Sequence, residues 1–274
     1  MTEVERVSIF CGLMNKKAAE LGMKNSTFND PAGINNFSTA RDIMQVLLQV
    51  AKNETVNSIW TKRAYTVNIE GDCPRTLELI SKTLQGEGNG KLLESYKVLA
   101  GKGGTLTYKN INNSSILALD PAGNGRLACV VMGAWDPNSG PNNRFNAAKQ
   151  VFDKALGKGN AEICAESAIV YRIYDDAEKE PCLLYEQNAD KVIPPASMSK
   201  MLTALTALDF IKDLNTKITV KEAHIALVQK GFYQRYLKAG DVISFFDLLH
   251  TLLLPSSNLG GFVIADYVGG LIKE

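Results

Sequence analysis

The stretch 191–209, KVIPPASMSKMLTALTALD, places a serine and a lysine three residues apart at the start of an apolar, helix-forming run. Residues three apart share one face of a helix, so Ser197 and Lys200 are predicted to point the same way. A serine hydroxyl is a poor nucleophile unless a base lies beside it. Burial favours a neutral lysine, which can accept the serine proton. The stretch is compatible with a nucleophile and its base, although S-x-x-K taken alone is more typical of a helix start capped by serine.

Two further short motifs fit the same kind of site. LLLPSSNLGG offers Ser256 and Asn258 in an S-x-N arrangement between two apolar helical runs, and KVLAGKGGTL places Lys102 in a glycine-rich strand. Taken singly, the first is also typical of a turn and the second of a flexible hairpin. S-x-x-K with S-D-N and K-T-G is the signature set of class A β-lactamases and penicillin-binding proteins. Three such motifs in one chain, each in the expected kind of element, favour a single active site.

Composition narrows the possible function classes. The 274 residues are 45% hydrophobic and 22% charged, which is ordinary for a soluble globular domain. A net charge of +1 gives no reason to expect a nucleic-acid partner. Five cysteines without metal-ligand spacing and only two histidines supply neither a disulfide framework nor a zinc site. We therefore expect no metal or organic cofactor, and the first residues, MTEVERVSIF, lack the apolar region of a signal peptide.

The periodicity predicts a mixed α/β (α+β) fold. Apolar spacing indicates an amphipathic helix at 6–22 and a second helix that begins after Thr39 as its cap. Strand-like segments between 97 and 134 are separated by turns and indicate an antiparallel meander. We expect an antiparallel sheet flanked by helices on both faces, with an all-helical region that carries the S-x-N motif.

The chain resembles the serine D-alanyl-D-alanine carboxypeptidases, the low-molecular-weight penicillin-binding proteins (peptidase S11-like). PPASMSKMLTALTALD is similar to their nucleophile helix, and the resemblance extends over nearly the whole chain. The other segments that carry it are FCGLMNKKAAELGMKNSTFNDPAGINNFSTARD, FYQRYLKAGDVISFFDLLHTLLLPSSNLGGFVIADYVGG, and KVLAGKGGTL with RLACVVMGA and RFNAAKQVFDKAL. The resemblance implies a β-lactamase/transpeptidase-like fold.

The motifs stand in an unusual order. In the family, S-x-x-K and S-x-N precede the LMNKKAAELG helix and K-T-G, whereas here they follow. The resemblance therefore implies a circular permutation within one domain, 1–274. Residues 1–157 resemble the C-terminal half of the family's domain, residues 161–274 resemble its N-terminal half, and the two are joined at about 157–160. Permutation is tolerated where domain termini lie close together. A rival interpretation is a domain-swapped oligomer of paired half-domains.

The resemblance also implies a role for each motif residue. Ser197 is the nucleophile that attacks the carbonyl between two D-alanines, and Lys200 is its base. Ser256 relays a proton to the leaving amine, and Asn258 holds the substrate amide and the base. Lys102 supplies positive charge to the site and to the substrate carboxylate.

Substrate binding and the oxyanion hole involve the glycine-rich strand. The resemblance places the oxyanion between the backbone N–H groups of Ser197 and Thr105, with Gly103 and Gly104 lying between Lys102 and Thr105. The family has a hydroxyl residue at position 103, so Gly103 removes a hydrogen bond to the substrate carboxylate. Such a charge-assisted bond contributes roughly 1.5–3 kcal/mol, so Gly103→Thr is expected to raise turnover. A second departure is Leu259, where an acidic residue often follows S-x-N.

Three functions compete. The first is a DD-carboxypeptidase that removes the terminal D-alanine of peptidoglycan peptides and is acylated by β-lactams. The second is a β-lactamase-like hydrolase, which needs a deacylating base; NSTFNDPAGINNFS, the loop that would supply it, holds Asp30 but no glutamate. The third is a non-enzymatic penicillin- or peptidoglycan-binding module. By resemblance, the location is the bacterial cell envelope, and the chain acts as a monomer or a domain-swapped oligomer.

Overall fold

The computed structural model describes residues 1–86, 89–135, 143–159, 162–176, 178–228, 231–232 and 236–272. The helices among these residues are α1 Glu3–Glu20, α2 Ala40–Lys52, α3 Glu54–Trp60, α4 Gly90–Ser95, α5 Asn143–Ala155, α6 Ser199–Phe210, α7 Glu222–Leu227, α8 Phe245–Leu253 and α9 Asn258–Leu271. The strands are β1 Ala64–Gly71, β2 Arg75–Ile80, β3 Val98–Leu106, β4 Ile111–Leu119, β5 Arg126–Met132, β6 Ser167–Ile173, β7 Cys182–Gln187, β8 Lys217–Thr219 and β9 Asp241–Ser244.

The larger sheet has five antiparallel strands in the order β3-β4-β5-β6-β7. Successive side chains of a strand point to opposite faces, so β5 contributes to two cores. Ala128 and Val130 face the core shared with α2 and α6, whereas Leu127 and Cys129 face the core shared with α5. The predicted antiparallel sheet with helices on both faces is therefore confirmed, and β3, which carries Lys102, lies at its edge.

An all-helical region completes the domain beside this sheet. Helix α6 packs against α1, α8 and α9, and the turn between α8 and α9 carries the S-x-N motif, as the sequence predicts. Helix α1 lies along α9, so closely that a Cβ on Gly269 would stand 2.0 Å from the carbonyl oxygen of Arg6. Among the described residues, none of the helices has the length and apolar character needed to cross a bilayer.

A second, four-stranded sheet of order β2-β1-β9-β8 is an addition to the antiparallel sheet that the sequence predicts. Strands β8 and β9 have three and four residues, too few for a period-two pattern to stand out. Strand β9 pairs with β8 on one side and on the other with β1, which lies far away in sequence, with Gly71 paired to Asp241. Tertiary pairing, which local patterns do not encode, creates this sheet.

Two predicted helix boundaries follow from their capping residues. Thr39 accepts a hydrogen bond from the backbone N–H of Asp42 and starts α2. Gly22 has a φ of +76° directly after the end of α1, the conformation that glycine adopts most readily. The segment between these two caps, 22–39, contains the loop at 30–36. This loop lies against the turn that carries Ser197.

Candidate active site

The three motifs converge on one cavity. Ser197, Lys102, Ser256 and Asn258 all line a space of about 450 Å³, within the range of roughly 300–1,000 Å³ that is typical of ligand sites. The rest of the described lining is Ala32, Gly33, Ile34, Lys82, Thr83, Gly103, Thr105, Leu106, Thr107, Arg144, Gly231, Phe232, Leu253 and Leu254. Residues more than a hundred positions apart thus form one site.

Ser197 lies in a 3₁₀ turn, Ala196–Met198, that runs directly into α6. The sequence prediction places it on the α-helix itself, so the turn is a small correction. The turn begins in a left-handed conformation, with a φ of +52° at Ala196, which is unusual for a residue with a side chain. Such strain persists only where surrounding structure enforces it.

Two glycines hold the turn in this conformation, because they allow the neighbouring backbone to pack closely against Ala196 and Ser197. A Cβ on Gly33 would lie 1.9 Å from the Ala196 carbonyl oxygen, and a Cβ on Gly104 would lie 3.1 Å from the Ser197 nitrogen. The edge strand β3 therefore passes directly beside the serine N–H. This is the arrangement that the predicted oxyanion hole requires, and it explains the glycine at 104.

Lys200 is fully buried, and its Nζ makes three contacts. It lies 2.7 Å from Ser197 Oγ, 2.7 Å from Asn258 Oδ1 and 2.9 Å from the carbonyl oxygen of Ala32. The last two atoms are oxygens that only accept hydrogen bonds. A neutral amine has two N–H groups and one lone pair, so these acceptors direct its lone pair towards the Ser197 hydroxyl.

The electrostatics of the cavity favour that neutral form. Burial lowers the pKa of Lys200 to about 7; Asp30 opposes this shift and Lys82 adds to it. Burial also holds the pKa of Lys102 well below its usual range, helped by the positive charge of Lys200. A lysine with a pKa near the operating pH is suited to general-base catalysis.

Through hydrogen bonds of Asn258 and Ser256, the S-x-N turn connects Lys200 to the edge strand β3. Lys102 Nζ donates to Ser256 Oγ at 2.8 Å and to the carbonyl oxygen of Gly103 at 3.0 Å. Ser256 has a φ of +69°, a second strained non-glycine residue in the site. Asn258 accepts from Lys200 and donates through Nδ2 to the Phe232 carbonyl oxygen at 2.7 Å.

Asp30 organises the loop behind Lys200. Its two carboxylate oxygens accept from the backbone N–H groups of Ala32, Gly33, Ile34 and Asn35 at 2.6–3.1 Å. The loop in turn presents the Ala32 carbonyl oxygen to Lys200. Asp30 is buried and committed to these bonds, so it is not placed as a base for water.

Arg144, near the start of α5, is the functional candidate that the sequence analysis missed. A Cβ on Gly103 would lie 3.1 Å from Arg144 Cζ, so the guanidinium fills the space beside the glycine. Its Nη1 donates to Thr105 Oγ1 at 2.7 Å and lies 3.2 Å from Asn112 Oδ1. Its Nε is buried with no hydrogen-bond partner among the described residues, and burial lowers the arginine pKa to about 10.

This finding changes the interpretation of Gly103. The position has lost a hydroxyl, but an arginine occupies the volume that a larger residue would need. The expected gain from Gly103→Thr therefore depends on whether the Arg144 guanidinium can shift by a few tenths of an ångström. No local sequence signal points to Arg144, because only the folding of α5 over the sheet brings it to β3. Leu259, the second departure, is buried in the core rather than in the cavity.

The fold and the motifs around this cavity define the class of β-lactamase/transpeptidase-like serine proteins. The model of the peptidase S11 family, D-alanyl-D-alanine carboxypeptidase, matches residues 7–136 and 154–274, and the chain belongs to this family. It is similar to D-alanyl-D-alanine carboxypeptidase DacF of Bacillus subtilis (strain 168), with 26% identity over 130 residues. That alignment spans 46% of this chain and 32% of the relative. No solved structure matches the chain.

Proposed function

We propose that the protein is a serine DD-carboxypeptidase that removes the terminal D-alanine of peptidoglycan stem peptides through an acyl-enzyme on Ser197. The observation that carries this proposal is the set of contacts at Lys200. Two oxygen acceptors hold its N–H groups, and the serine hydroxyl lies 2.7 Å from its nitrogen. Lys200 takes the hydroxyl proton as Ser197 attacks the scissile carbonyl.

The second half of the acylation step uses Ser256 and Lys102. The leaving amine needs a proton, and Ser256 is placed to relay it because its hydroxyl is bonded to Lys102. The developing oxyanion lies at the N–H groups of Ser197 and Thr105, which Gly104 allows to approach. Water then attacks the acyl-enzyme and releases the shortened peptide.

The substrate carboxylate is bound where Arg144 meets the strand. Arg144 Nε has no partner among the described residues, and a buried, unpaired donor on a cation is costly. A carboxylate beside Gly103 offers that donor an acceptor and offsets the buried charge. Arg144, Thr105 and Lys102 thus replace the hydroxyl that position 103 lacks.

β-Lactams present a strained amide and a carboxylate in a similar arrangement, so we propose that they acylate Ser197. The absence of a glutamate from the loop 25–38, and the commitment of Asp30 to backbone N–H groups, argue for slow release of that adduct. The carboxypeptidase is therefore favoured over the β-lactamase. Such substrates place the enzyme in the bacterial cell envelope.

We propose further that the domain is a circular permutation of the family's order, with the join at about 157–160. Strand β6 pairs with β5, and α5 packs on both, so a short connection after Ala155 links neighbouring elements. The contact between α1 and α9 brings together the helix near the start of this sequence and the helix near its end. Residues 160 and 161 lie outside the described residues. Light scattering distinguishes a monomer from the domain-swapped oligomer.

The first test is intact mass after incubation with a fluorescent penicillin, together with release of D-alanine from a D-Ala-D-Ala peptide. The proposal requires one adduct per chain, its loss in Ser197→Ala, and D-alanine release by the native chain. An adduct without peptide turnover would favour the binding-module alternative. Folded protein with neither adduct nor turnover would refute the proposed function.

A further inference from the structure

Lys82 contributes a cationic side chain to the cavity, and the mechanism above does not use it. It lies in the turn that follows β2 and lines the cavity together with Arg144. Its side chain is exposed to solvent at the cavity, and within the stretches of chain that the structure describes its ammonium group has no hydrogen-bond or ion-pair partner. Lys102, by contrast, is bonded to Ser256 and Gly103. An unpaired cation at a binding cavity is a candidate determinant of ligand charge.

The turn that carries Lys82 is held on both sides. The Lys82 N–H donates to the carbonyl oxygen of Leu254, beside the S-x-N motif, at 3.2 Å. Buried Asn89 donates to the Thr83 carbonyl oxygen at 2.7 Å, and Thr83 packs its methyl group against Gly101. Lys82 therefore starts from a fixed backbone position, not from a free loop.

Lys82 and Arg144 lie along the same face of β3. Thr83, next to Lys82, packs at Gly101, and Arg144 packs at Gly103. Residues two apart on a strand share a face and are separated by roughly 7 Å. Both cations line the cavity beside β3, and partial burial together with the positive charge of Arg144 lowers the pKa of Lys82.

No aspartate or glutamate is among the described residues that line the cavity. A single substrate carboxylate compensates Arg144 but leaves Lys82 without a counterion. A leaving residue with a second carboxylate compensates both cations. Resting on the proposed function, we propose that Lys82 makes the enzyme accept, and favour, peptides whose leaving residue is a dicarboxylic D-amino acid.

The test compares two peptides of the same shape that differ in charge, one ending in D-Ala-D-Glu and the other in D-Ala-D-Gln. Calorimetry measures their binding to the Ser197→Ala protein, and kcat/KM is measured with the native protein. We expect the D-Glu peptide to be favoured about 10-fold, as for one partly exposed charge-assisted contact. High salt should reduce this ratio.

Variants at Lys82 test whether this residue causes the preference for the D-Glu peptide. Lys82→Gln should bring the D-Glu to D-Gln ratio close to one, and Lys82→Arg should retain it. Lys24→Gln, an exposed lysine outside the cavity, is the matched control and should leave the ratio unchanged. A native ratio of one, or a preference that survives Lys82→Gln, would overturn the inference.

A D-Ala-D-Ala peptide separates the inference about Lys82 from the proposed function. If it binds and is cleaved while the D-Glu peptide has no advantage, the inference about Lys82 is wrong and the proposed function stands. If none of the three peptides binds to the folded protein, the proposed function is refuted, and the inference with it.

Discussion

The two walls of the cavity differ in how closely they follow the family pattern. The nucleophile wall, which we define as Ser197, Lys200, Ser256 and Asn258, has every motif residue: Lys200 contacts Ser197 and Asn258, and Ser256 is bonded to Lys102 across the cavity. The strand wall, which we define as Lys102, Gly103, Gly104 and Thr105, lacks the family's hydroxyl at 103 and has Arg144 beside the gap. On the proposed function, this contrast predicts that proton transfer depends on a fixed local arrangement, whereas carboxylate binding draws its charge from another element.

The largest predicted effect is at the nucleophile wall. Lys200→Gln removes the base, and general-base catalysis contributes roughly 10²–10⁴-fold. We expect the rate of penicillin acylation to fall by about that factor, measured by fluorescent-adduct formation over time. The control is Lys24→Gln, the same substitution at an exposed site. An unchanged rate in Lys200→Gln would remove Lys200 from the mechanism.

The second prediction concerns pH. Lys200 has a pKa lowered to about 7 and must be neutral to accept the proton, so acylation should rise with pH and level off above 7. Below that value, the rate should fall about tenfold per pH unit, to about 1% of the plateau at pH 5. A rate that is flat from pH 5 to 8 in stopped-flow measurements would contradict a neutral lysine as the base.

The third prediction addresses the strand wall. Arg144→Gln removes the cation beside Gly103, and the loss of a charge-assisted bond should lower kcat/KM for a D-Ala-D-Ala peptide by about 10–100-fold. Arg144→Lys should restore only part of the activity, since lysine lacks the planar fork of donors. If Arg144→Gln left kcat/KM intact while Lys102→Gln abolished it, carboxylate binding would belong to the lysine alone.

The smallest effect is expected at Gly103. Threonine there places Cβ 3.1 Å from Arg144 Cζ and must displace the guanidinium. We expect turnover of the D-Ala-D-Ala peptide to fall about threefold to tenfold, an effect of about 1 kcal/mol of the kind that overpacking produces. The double variant Gly103→Thr with Arg144→Ala frees the space and should recover some of the loss relative to Arg144→Ala. Higher turnover in Gly103→Thr alone would restore the simpler view of a missing hydroxyl.

Much of the fold was predictable because its elements are long and strongly patterned. Helix α2 begins at the predicted cap Thr39, and β3 to β5 form the predicted antiparallel meander. The small sheet was not predictable in full, since β8 and β9 are too short to show a period and β9 pairs with the distant strand β1. The permuted domain order is still a prediction, drawn from motif order.

By itself, the sequence determined which chemical groups are available and which of them are neighbours along the chain. The spacing of Ser197 and Lys200 is local, so helix geometry sufficed to predict that they meet. The sequence also supplies the glycines at 33 and 104, without which backbone could not approach the serine.

Only the tertiary structure decided what surrounds those groups. The lowered pKa of Lys200, about 7, comes from burial, and the orientation of its N–H groups comes from two oxygen acceptors on other elements, Ala32 and Asn258. Arg144 reaches the cavity because α5 folds over the sheet, and Lys82 reaches it because the turn after β2 packs on the edge strand. Local sequence patterns do not predict either arrangement. The physical reason is that the electrostatics and the shape of a site depend on distances in space. The order of residues along the chain sets those distances only through the fold.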